Sequence, residues 1–287
     1  MRIWPKPNPS LFLRKYFASR PSFDRPIFLV GCGKSGTTIS GVLFYLHPDI
    51  RGGKNALSQF GGLDNINDLV DHSVFRDFAH RMEYKEIWDK YFPQKTKLRI
   101  GPELIVMENQ FSALREKELK LELSDLQFGQ RLFTKFPSNT FRVHVLRALF
   151  PDAYILAIHR DGRDVISSWG KAQKNGVPRW EQFGGYEKAI QVFADKWKSA
   201  IDHIEAYKEE LDIITYRYED LIQSPPTVLR SLFEQIELPY LPEIYDNIEL
   251  SAQQGAWRKR IPEEYHDLVT ALTREHLVSL GYSVDDE

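Results

Sequence analysis

The chain has 287 residues, of which 42% are hydrophobic and 27% charged, and this composition excludes collagenous, low-complexity and fully disordered classes. Its 38 basic and 40 acidic residues leave a formal net charge of −2, which argues against nucleic acid as a partner. The single cysteine, Cys32, excludes an internal disulfide framework and a cysteine-rich zinc module. The histidines show no metal-ligand spacing, so the sequence predicts no metal site.

The first 25 residues form a basic arm in which Asp24 is the only acidic residue. Pro5, Pro7 and Pro9 interrupt the apolar core that a signal peptide needs. No apolar stretch of the chain approaches the length required to span a bilayer. The sequence therefore predicts a soluble, cytoplasmic protein whose arm packs irregularly on the domain. Contact between a short apolar stripe of the arm and a membrane surface is the weaker alternative.

Along the chain, short apolar runs alternate with long amphipathic segments, the pattern of a parallel sheet covered by helices. Strands are predicted at residues 27–30, 133–136, 154–158 and 211–215. Helices are predicted up to Pro48, from Asn139, from about Arg163, around 190–204, from Ser224, and from near Pro262 to Gly281. The region of about 51–130 fits the alternation least well and is expected to form helices on the acceptor side. Since no repeat or linker divides the chain, we expect one α/β domain over residues 1–287, with a central parallel sheet flanked by helices in three layers.

A glycine-rich loop separates the first predicted strand from the first predicted helix. Glycines let backbone N–H groups turn inward, and the helix N-terminus adds partial positive charge, so the loop suits a phosphate-like anion. Gly31 and Gly36 have the spacing of a nucleoside-triphosphatase P-loop, but Thr37 occupies the lysine position of that loop. The pattern predicts a P-loop-like fold with an anion cradle rather than a magnesium–ATP site, and a glycine turn without a ligand is the alternative. The predicted cradle residues are Gly33, Lys34, Ser35, Gly36, Thr37 and Thr38.

A second anion site is predicted after the strand at 154–158. Arg160 follows this strand, and Ser168 comes eight residues later on the next predicted helix. The planar guanidinium and the hydroxyl can converge on one phosphate group. Asp164, near the start of the helix, is expected to be structural because a carboxylate is favourable at that end of the helix dipole. A surface loop with ordinary Arg–Asp pairing is the alternative.

These elements together resemble those of sulfotransferases that use 3′-phosphoadenosine 5′-phosphosulfate (PAPS), of the tyrosylprotein, carbohydrate and bacterial types. Residues 33–38 resemble the 5′-phosphosulfate loop of that family, and the segment from Arg160 to Ser168 resembles its 3′-phosphate motif. Further resemblance lies in the Lys-x-Pro-x-Asn segment at 135–139, the Tyr-Glu-Asp element at 218–220 and the C-terminal pattern at 255–282. Several ordered elements at sensible intervals are more specific than any one of them.

The resemblance implies an enzyme that moves a sulfonate group from PAPS to a hydroxyl acceptor, with a carbohydrate or similar polar molecule favoured. It implies that Lys34 and Lys135 are catalytic cations near the moving group, that Tyr218 lies against adenine and that Arg258 closes over the 3′-phosphate. For Lys135, Tyr218 and Arg258, the respective alternatives are a plain surface lysine, a packed core tyrosine and a solvated basic run.

The general base is not identified by a motif. An acceptor hydroxyl needs a carboxylate or imidazole within hydrogen-bond reach. Some members of the family carry a glutamate shortly after the first helix, where this chain reads Arg-Gly-Gly-Lys-Asn at residues 51–55. The remaining candidates are Glu103, Asp64 and His47, and a structural role is the favoured alternative for each of them. Two other functions stay open at this point: a P-loop nucleotide kinase, and a nucleotide-binding protein of the same fold without catalytic activity.

Overall fold

A computed structural model of the chain describes residues 23–51, 84–92, 113–125, 127, 130–251 and 254–284. The basic arm before residue 23 and much of the region 51–130 lie outside the described residues. The described part of that region forms two helices, Lys85–Tyr91 and Ala113–Ser124. The single-domain organisation and the acceptor-side role of the region stay predictions.

A parallel four-stranded sheet forms the centre of the fold, in the strand order β2-β1-β3-β6. The strands of the described chain are β1 (Ile27–Val30), β2 (Phe133–Lys135), β3 (Tyr154–His159), β4 (Gln173–Lys174), β5 (Val177–Pro178) and β6 (Ile214–Arg217). The register aligns Leu29 of β1 with Lys135 of β2 and Leu156 of β3. β4 and β5 form a separate short antiparallel hairpin.

Helices connect the strands and cover both faces of the sheet. In chain order they are α1 (Thr37–Tyr45), α2 (Pro48–Arg51), α3 (Lys85–Tyr91), α4 (Ala113–Ser124), α5 (Val143–Leu149), α6 (Gly162–Gly170), α7 (Arg179–Gln182), α8 (Tyr186–Tyr207), α9 (Tyr218–Gln223), α10 (Pro225–Gln235), α11 (Pro242–Tyr245), α12 (Trp257–Arg260) and α13 (His266–Ser279). Two 3₁₀ helices, Pro137–Arg142 and Glu263–Tyr265, precede α5 and α13.

The strands are buried on both faces because each face packs against its own helical layer. Leu29 and Leu156 point into a core shared with α1 and α10. Phe28 and Ile155 point into a second core on the opposite face, shared with α3, α4 and α5. Continuously apolar strands are what a sheet covered on both sides requires. The predicted three-layer, P-loop-like α/β fold is confirmed.

The fourth strand of the sheet begins three residues later than the sequence predicts. The amide of Leu211 donates to the carbonyl of Tyr207, and the amide of Ile213 donates to the carbonyl of Lys208, both at 2.9 Å. Asp212 between them has a positive φ of 47°. Leu211 and Ile213 thus belong to the turn that ends α8, where buried apolar residues are common. Because both residues are hydrophobic, the sequence pattern places the start of the strand too early.

Asn139 does not cap a helix, contrary to the prediction. It lies inside the 3₁₀ helix Pro137–Arg142, and its side-chain oxygen accepts a hydrogen bond of 3.1 Å from Arg142 Nη1. The guanidinium of Arg142 is buried and also donates to the carbonyl of Phe92 at 3.3 Å. A buried cation needs acceptors, so the amide serves the arginine instead of a helix N-terminus.

Two buried histidines make the stability of the fold depend on pH. Burial lowers the pKa of His159 and that of His203 from 6.5 to about 4, and repulsion from Lys208 and His144 respectively adds to the shift. Both ring nitrogens of His159 lack a hydrogen-bond partner among the described residues, and the Glu205 carboxylate 3.6 Å from Nε2 is too exposed to offset burial. As pH falls below 6.5, the unfolded chain binds protons that the folded chain does not accept. The stabilisation present above pH 6.5 is therefore lost progressively towards pH 4.

We expect the free energy of unfolding to fall as the pH is lowered from 7, by about 2 kcal/mol for each buried histidine at pH 5 and by about 3 kcal/mol at pH 4. Urea unfolding of the wild type and of His159→Gln at several pH values measures the effect. The variant should show a shallower pH dependence than the wild type. Comparing the two cancels the opposite contribution of Asp164 and Glu219, whose pKa values are raised by burial. Parallel pH curves for the two proteins would contradict the assignment.

Candidate active site

The segments that follow the four parallel strands meet at one edge of the sheet. β1 leads into the loop 31–36, β2 ends at Lys135, β3 is followed by Arg160 and β6 by Tyr218. In open parallel sheets, ligands bind at this carboxyl edge. The sequence-predicted site residues on these four segments are therefore brought to the same edge.

The loop 31–36 is held so closely by its neighbours that two of its positions require glycine. Gly31 has a φ of 140°, and a Cβ there would lie 2.6 Å from the carbonyl oxygen of Ile158. Gly36 has a φ of 92°, and a Cβ there would lie 2.2 Å from the ring of Tyr218. Thr140 fastens the start of the loop: it accepts from the amide of Gly31 at 2.9 Å and donates to the carbonyl of Gly31 at 3.2 Å. No sequence signal indicated this role of Thr140.

Within the loop, Lys34 adopts a left-handed conformation with a φ of 75°, which is unusual for a residue other than glycine. The amide of Ser35 donates to the carbonyl of Cys32 at 3.1 Å, which closes the turn around Lys34. The hydroxyl of Ser35 is buried and has no hydrogen-bond partner in the described part of the chain. α1 then starts without a side-chain cap or an acidic residue in its first turn. A turn of this kind, ending in an uncapped helix, has the geometry of the predicted anion cradle.

Lys135 is a buried lysine rather than the plain surface lysine that was its alternative. Its side chain is 1% exposed, and Nζ donates to the hydroxyl of Thr38 at 3.5 Å. Thr38 lies in the first turn of α1, so the contact brings a second cation to the anion cradle. Burying an ammonium group is costly unless polar partners compensate it, and the hydroxyl oxygen of Thr38 is one such acceptor.

Arg160 connects the second predicted anion site to the first. Its Nη1 donates to the carbonyl of Lys34 at 3.2 Å, and its guanidinium lies 4.3 Å from the centre of the Tyr218 ring. Nη2 lies 3.7 Å from a carboxylate oxygen of Asp164, while Nε is buried without a partner among the described residues. The arginine thus contacts the segments after β1, β3 and β6 together. An unused buried donor at this point suits an anionic ligand.

Asp164 has a larger role than the expected match to the helix dipole. Its carboxylate accepts from the amide of Gly255 at 3.0 Å and from that of Trp257 at 2.9 Å. Burial raises the pKa of Asp164, and the charge of Arg160 and the two amides oppose that shift. Through these two hydrogen bonds, the carboxylate holds the segment 255–257 beside Arg160. No sequence pattern linked these two distant parts of the chain.

Arg258, Ser168 and Tyr218 complete the predicted site residues. Arg258 is exposed on the segment that Asp164 fastens, with its guanidinium 4.7 Å from the centre of the Trp257 ring. Ser168 is half-buried near the end of α6, which begins just after Arg160. The ring of Tyr218 lies between Gly36 and Arg160, and burial raises its pKa while the charge of Arg160 opposes the shift. Tyr218 is therefore both packed against the loop and situated at the site edge.

Glu219 is a further organising residue that sequence analysis missed. One of its carboxylate oxygens accepts from the amide of Asp161 at 3.1 Å, and the other accepts from the hydroxyl of Tyr282 at 2.8 Å. Burial raises the pKa of Glu219, and these hydrogen bonds oppose the shift. The contacts join the loops after β3 and β6 to the end of the chain. The Tyr-Glu-Asp element therefore contributes fixed loop geometry as well as the tyrosine ring.

Of the three candidate bases, His47 is the one that the structure describes. It follows the end of α1 that is remote from the loop, is 1% exposed, and has both ring nitrogens in backbone contacts, with Pro239 at 3.0 Å and Asp49 at 3.2 Å. Burial lowers its pKa. His47 thus has the structural role that was the alternative to its candidacy as the base. Glu103 and Asp64 lie outside the described residues.

Among the residues that the structure describes, no group of three or more His, Cys, Asp or Glu side chains could hold a metal ion. In the same part of the chain, no helix combines the length and apolar character needed to cross a bilayer.

Comparison with known proteins identifies the family. Residues 26–243 match the model of the sulfotransferase family. The protein-tyrosine sulfotransferase 1 of Danio rerio is 22% identical over 81% of this chain, and its counterpart in Homo sapiens is 23% identical over the same share. The chain spans 59% and 56%, respectively, of the length of these relatives.

Solved structures agree in fold. The structure of a sulfotransferase from Mycobacterium avium superposes with a TM-score of 0.58 at 15% identity, covering 96% of this chain and 81% of that one. The sulfotransferase domain of the curacin biosynthetic pathway superposes with a TM-score of 0.50 at 16% identity, covering 92% of this chain and all of that domain. At these identities the likeness concerns the fold. Because the family model covers most of the chain, including the loop 31–36 and the Arg160 segment, the chain belongs to the sulfotransferase family.

Proposed function

We propose that this chain transfers a sulfonate group from PAPS to a hydroxyl group of an acceptor molecule. The observation that carries the proposal is the contact between the two anion sites: Arg160 donates to the carbonyl of Lys34, inside the phosphate loop. Two cationic sites on one sheet edge suit a nucleotide that carries phosphate groups at both its 5′ and 3′ positions. Family membership supports the same assignment.

The unused polar atoms at this edge fit such a nucleotide. The buried Ser35 hydroxyl and the buried Nε of Arg160 have no partner among the described residues, and each belongs to one of the two anion sites. In the proposed arrangement, residues 33–38 hold the 5′-phosphosulfate, Arg160, Ser168 and Arg258 hold the 3′-phosphate, and Tyr218 lies against adenine. Lys34, Lys135, Arg160 and Arg258 supply positive charge along this edge, which suits an anionic co-substrate.

In the reaction, the acceptor oxygen attacks sulfur, and the bond from sulfur to the bridging phosphate oxygen breaks. The leaving product, adenosine 3′,5′-bisphosphate (PAP), retains the electron pair, and the acceptor proton passes to a general base. Lys34 and Lys135 neutralise the negative charge that grows on the bridging oxygen and the moving group. Glu103 and Asp64 remain the candidates for the base.

The nucleotide preference is the first test of this proposal. Calorimetric titration should show far tighter binding of PAP than of AMP, because AMP lacks the 3′-phosphate that Arg160 and Ser168 are proposed to bind. A charge-assisted contact of this type contributes about 1.5–3 kcal/mol, so we expect a preference of at least about tenfold. Equal affinities would contradict the second anion site. Magnesium-dependent turnover of ATP would instead favour the nucleotide kinase, and PAP binding without transfer to any acceptor would favour the non-catalytic alternative.

The acceptor class is proposed on chemical grounds as a hydroxyl compound. The sequence favours a carbohydrate or similar polar molecule, whereas the names of the curated relatives indicate the phenol hydroxyl of a protein tyrosine. Transfer of labelled sulfonate to oligosaccharides and to tyrosine-containing peptides, assayed side by side, separates the two.

The cytoplasmic location stays a prediction.

A further inference from the structure

Trp169 contacts the phosphate loop from outside the motif residues. It is the residue after Ser168 on α6, and its indole N–H donates to the carbonyl of Gly33 at 2.8 Å. A trans peptide unit is planar, with its C=O and N–H groups pointing in opposite directions. Fixing the carbonyl of Gly33 on one side therefore directs the amide of Lys34 to the other side.

The peptide unit on the other side of Lys34 is fixed as well. The carbonyl of Lys34 accepts from Arg160, and the amide of Ser35, in the same peptide unit, donates to the carbonyl of Cys32 at 3.1 Å. Lys34 is thus held in its left-handed conformation by hydrogen bonds to both adjacent peptide units. A non-glycine residue persists there only when its surroundings hold it. Trp169 contributes to this hold together with Arg160.

The indole ring of Trp169 is itself held by cations and an aromatic ring. Lys196 Nζ lies 5.0 Å and the guanidinium of Arg179 lies 4.7 Å from its ring centre, and Phe193 stacks on it at 5.9 Å. The Lys196 side chain is 7% exposed and has no carboxylate within ion-pair distance in the described part of the chain. The aromatic rings around it supply the compensation for burying the ammonium group.

Resting on the proposed function, we propose that Trp169 is a positioning residue for the 5′-phosphosulfate loop. Its indole N–H keeps the peptide between Gly33 and Lys34 oriented so that the Lys34 amide faces the bound anion. Lys196 and Arg179 keep the ring in place. Since Ser168 is the preceding residue, one turn of α6 then serves both phosphate sites.

The test measures the contribution of the 5′-phosphate to binding, as the ratio of affinities for PAP and for adenosine 3′-monophosphate. Trp169→Phe retains a ring against Phe193 and the two cations but removes the N–H donor. We expect this ratio to fall about 3- to 10-fold, the equivalent of one lost neutral hydrogen bond. The affinity for adenosine 3′-monophosphate should stay as in the wild type. Lys196→Met should lower the ratio in the same direction, because the ring loses one of its two cationic contacts.

The control is Trp88→Phe, which makes the same substitution at a fully buried position but removes no hydrogen bond, since the Trp88 indole nitrogen has no partner among the described residues. It should lower thermal stability and leave the affinity ratio unchanged. An unchanged ratio in Trp169→Phe would overturn the positioning role, as would equal losses for both nucleotides. If the ratio falls in Trp169→Phe but not in Lys196→Met, the role of Lys196 in holding the Trp169 ring is overturned. If the wild type fails to bind PAP, the proposed function itself fails, independently of any variant.

Discussion

Lys34→Ala should lower the turnover rate about 100-fold or more, while the affinity for PAP falls much less. Negative charge grows on the bridging oxygen as the bond to sulfur breaks. A cation at this position therefore stabilises the transition state more than it stabilises the bound ground state. A loss of about two orders of magnitude is what removal of one preorganised electrostatic stabiliser causes. The backbone donors of the loop and the whole 3′-phosphate site remain in the variant, which preserves binding.

The measurement combines steady-state turnover on any working acceptor with calorimetric binding of PAP. The control for loss of one cation is Lys198→Ala, which removes a half-buried lysine of α8 that pairs with Asp195, and it should leave both quantities unchanged. Lys34→Arg keeps the charge and changes its geometry. Rescue by arginine would mean that charge alone suffices, and failure would mean that position matters too. Turnover of Lys34→Ala within a few-fold of the wild type would reject the catalytic role.

The sheet and its functional edge were predictable because local sequence signals coincide there. The apolar run at 27–30 continues directly into glycines, and a strand, loop and helix of this kind have few alternative arrangements. Arg160 likewise follows an apolar strand, so its location at the carboxyl edge follows from the strand itself. In both segments the backbone geometry and the anion-binding residues are neighbours in sequence.

Contacts between distant segments were not predictable in this way. Asp164 fastens Gly255 and Trp257, some 90 residues later, and Glu219 fastens Asp161 and Tyr282. Neither hydrophobic periodicity nor motif spacing predicts such a contact, because the contact depends on how the loops fold over the sheet. The misplaced start of β6 has a related cause, since the burial of Leu211 by tertiary packing resembles strand hydrophobicity.

The same contacts restrict the side chain of Arg160. Arg160 is paired with Asp164, which is itself fixed by two backbone amides, and it is stacked on Tyr218, which packs against Gly36. An arginine with few free rotamers loses little conformational entropy on binding an anion. Its planar donor set is therefore preorganised, and substitution should affect more than one contact.

Arg160→Ala should weaken PAP binding about 10- to 150-fold, which corresponds to the 1.5–3 kcal/mol expected for a charge-assisted contact. The contact with the 3′-phosphate is proposed to exist in the ground and transition states alike, so most of the loss should appear in binding rather than in turnover at saturation. The hydrogen bond from Arg160 to the carbonyl of Lys34 predicts a second, smaller effect on AMP, through the loop. The preference for PAP over AMP should therefore collapse, while AMP affinity falls only a few-fold.

Arg230 provides a matched control outside the predicted site. Arg230 also stacks on a tyrosine, with its guanidinium 3.9 Å from the centre of the Tyr240 ring, and also pairs with an aspartate, Asp246, at 3.5 Å. Arg230→Ala removes the same two kinds of contact but lies on α10, away from the carboxyl edge, so both nucleotides should bind as in the wild type. Arg160→Lys keeps the charge and loses the planar fork, and it should recover only part of the preference for PAP. If Arg160→Ala changes the affinities for PAP and AMP no more than Arg230→Ala does, Arg160 does not bind the 3′-phosphate. Its stacking on tyrosine and its ion pair would then account for its whole role.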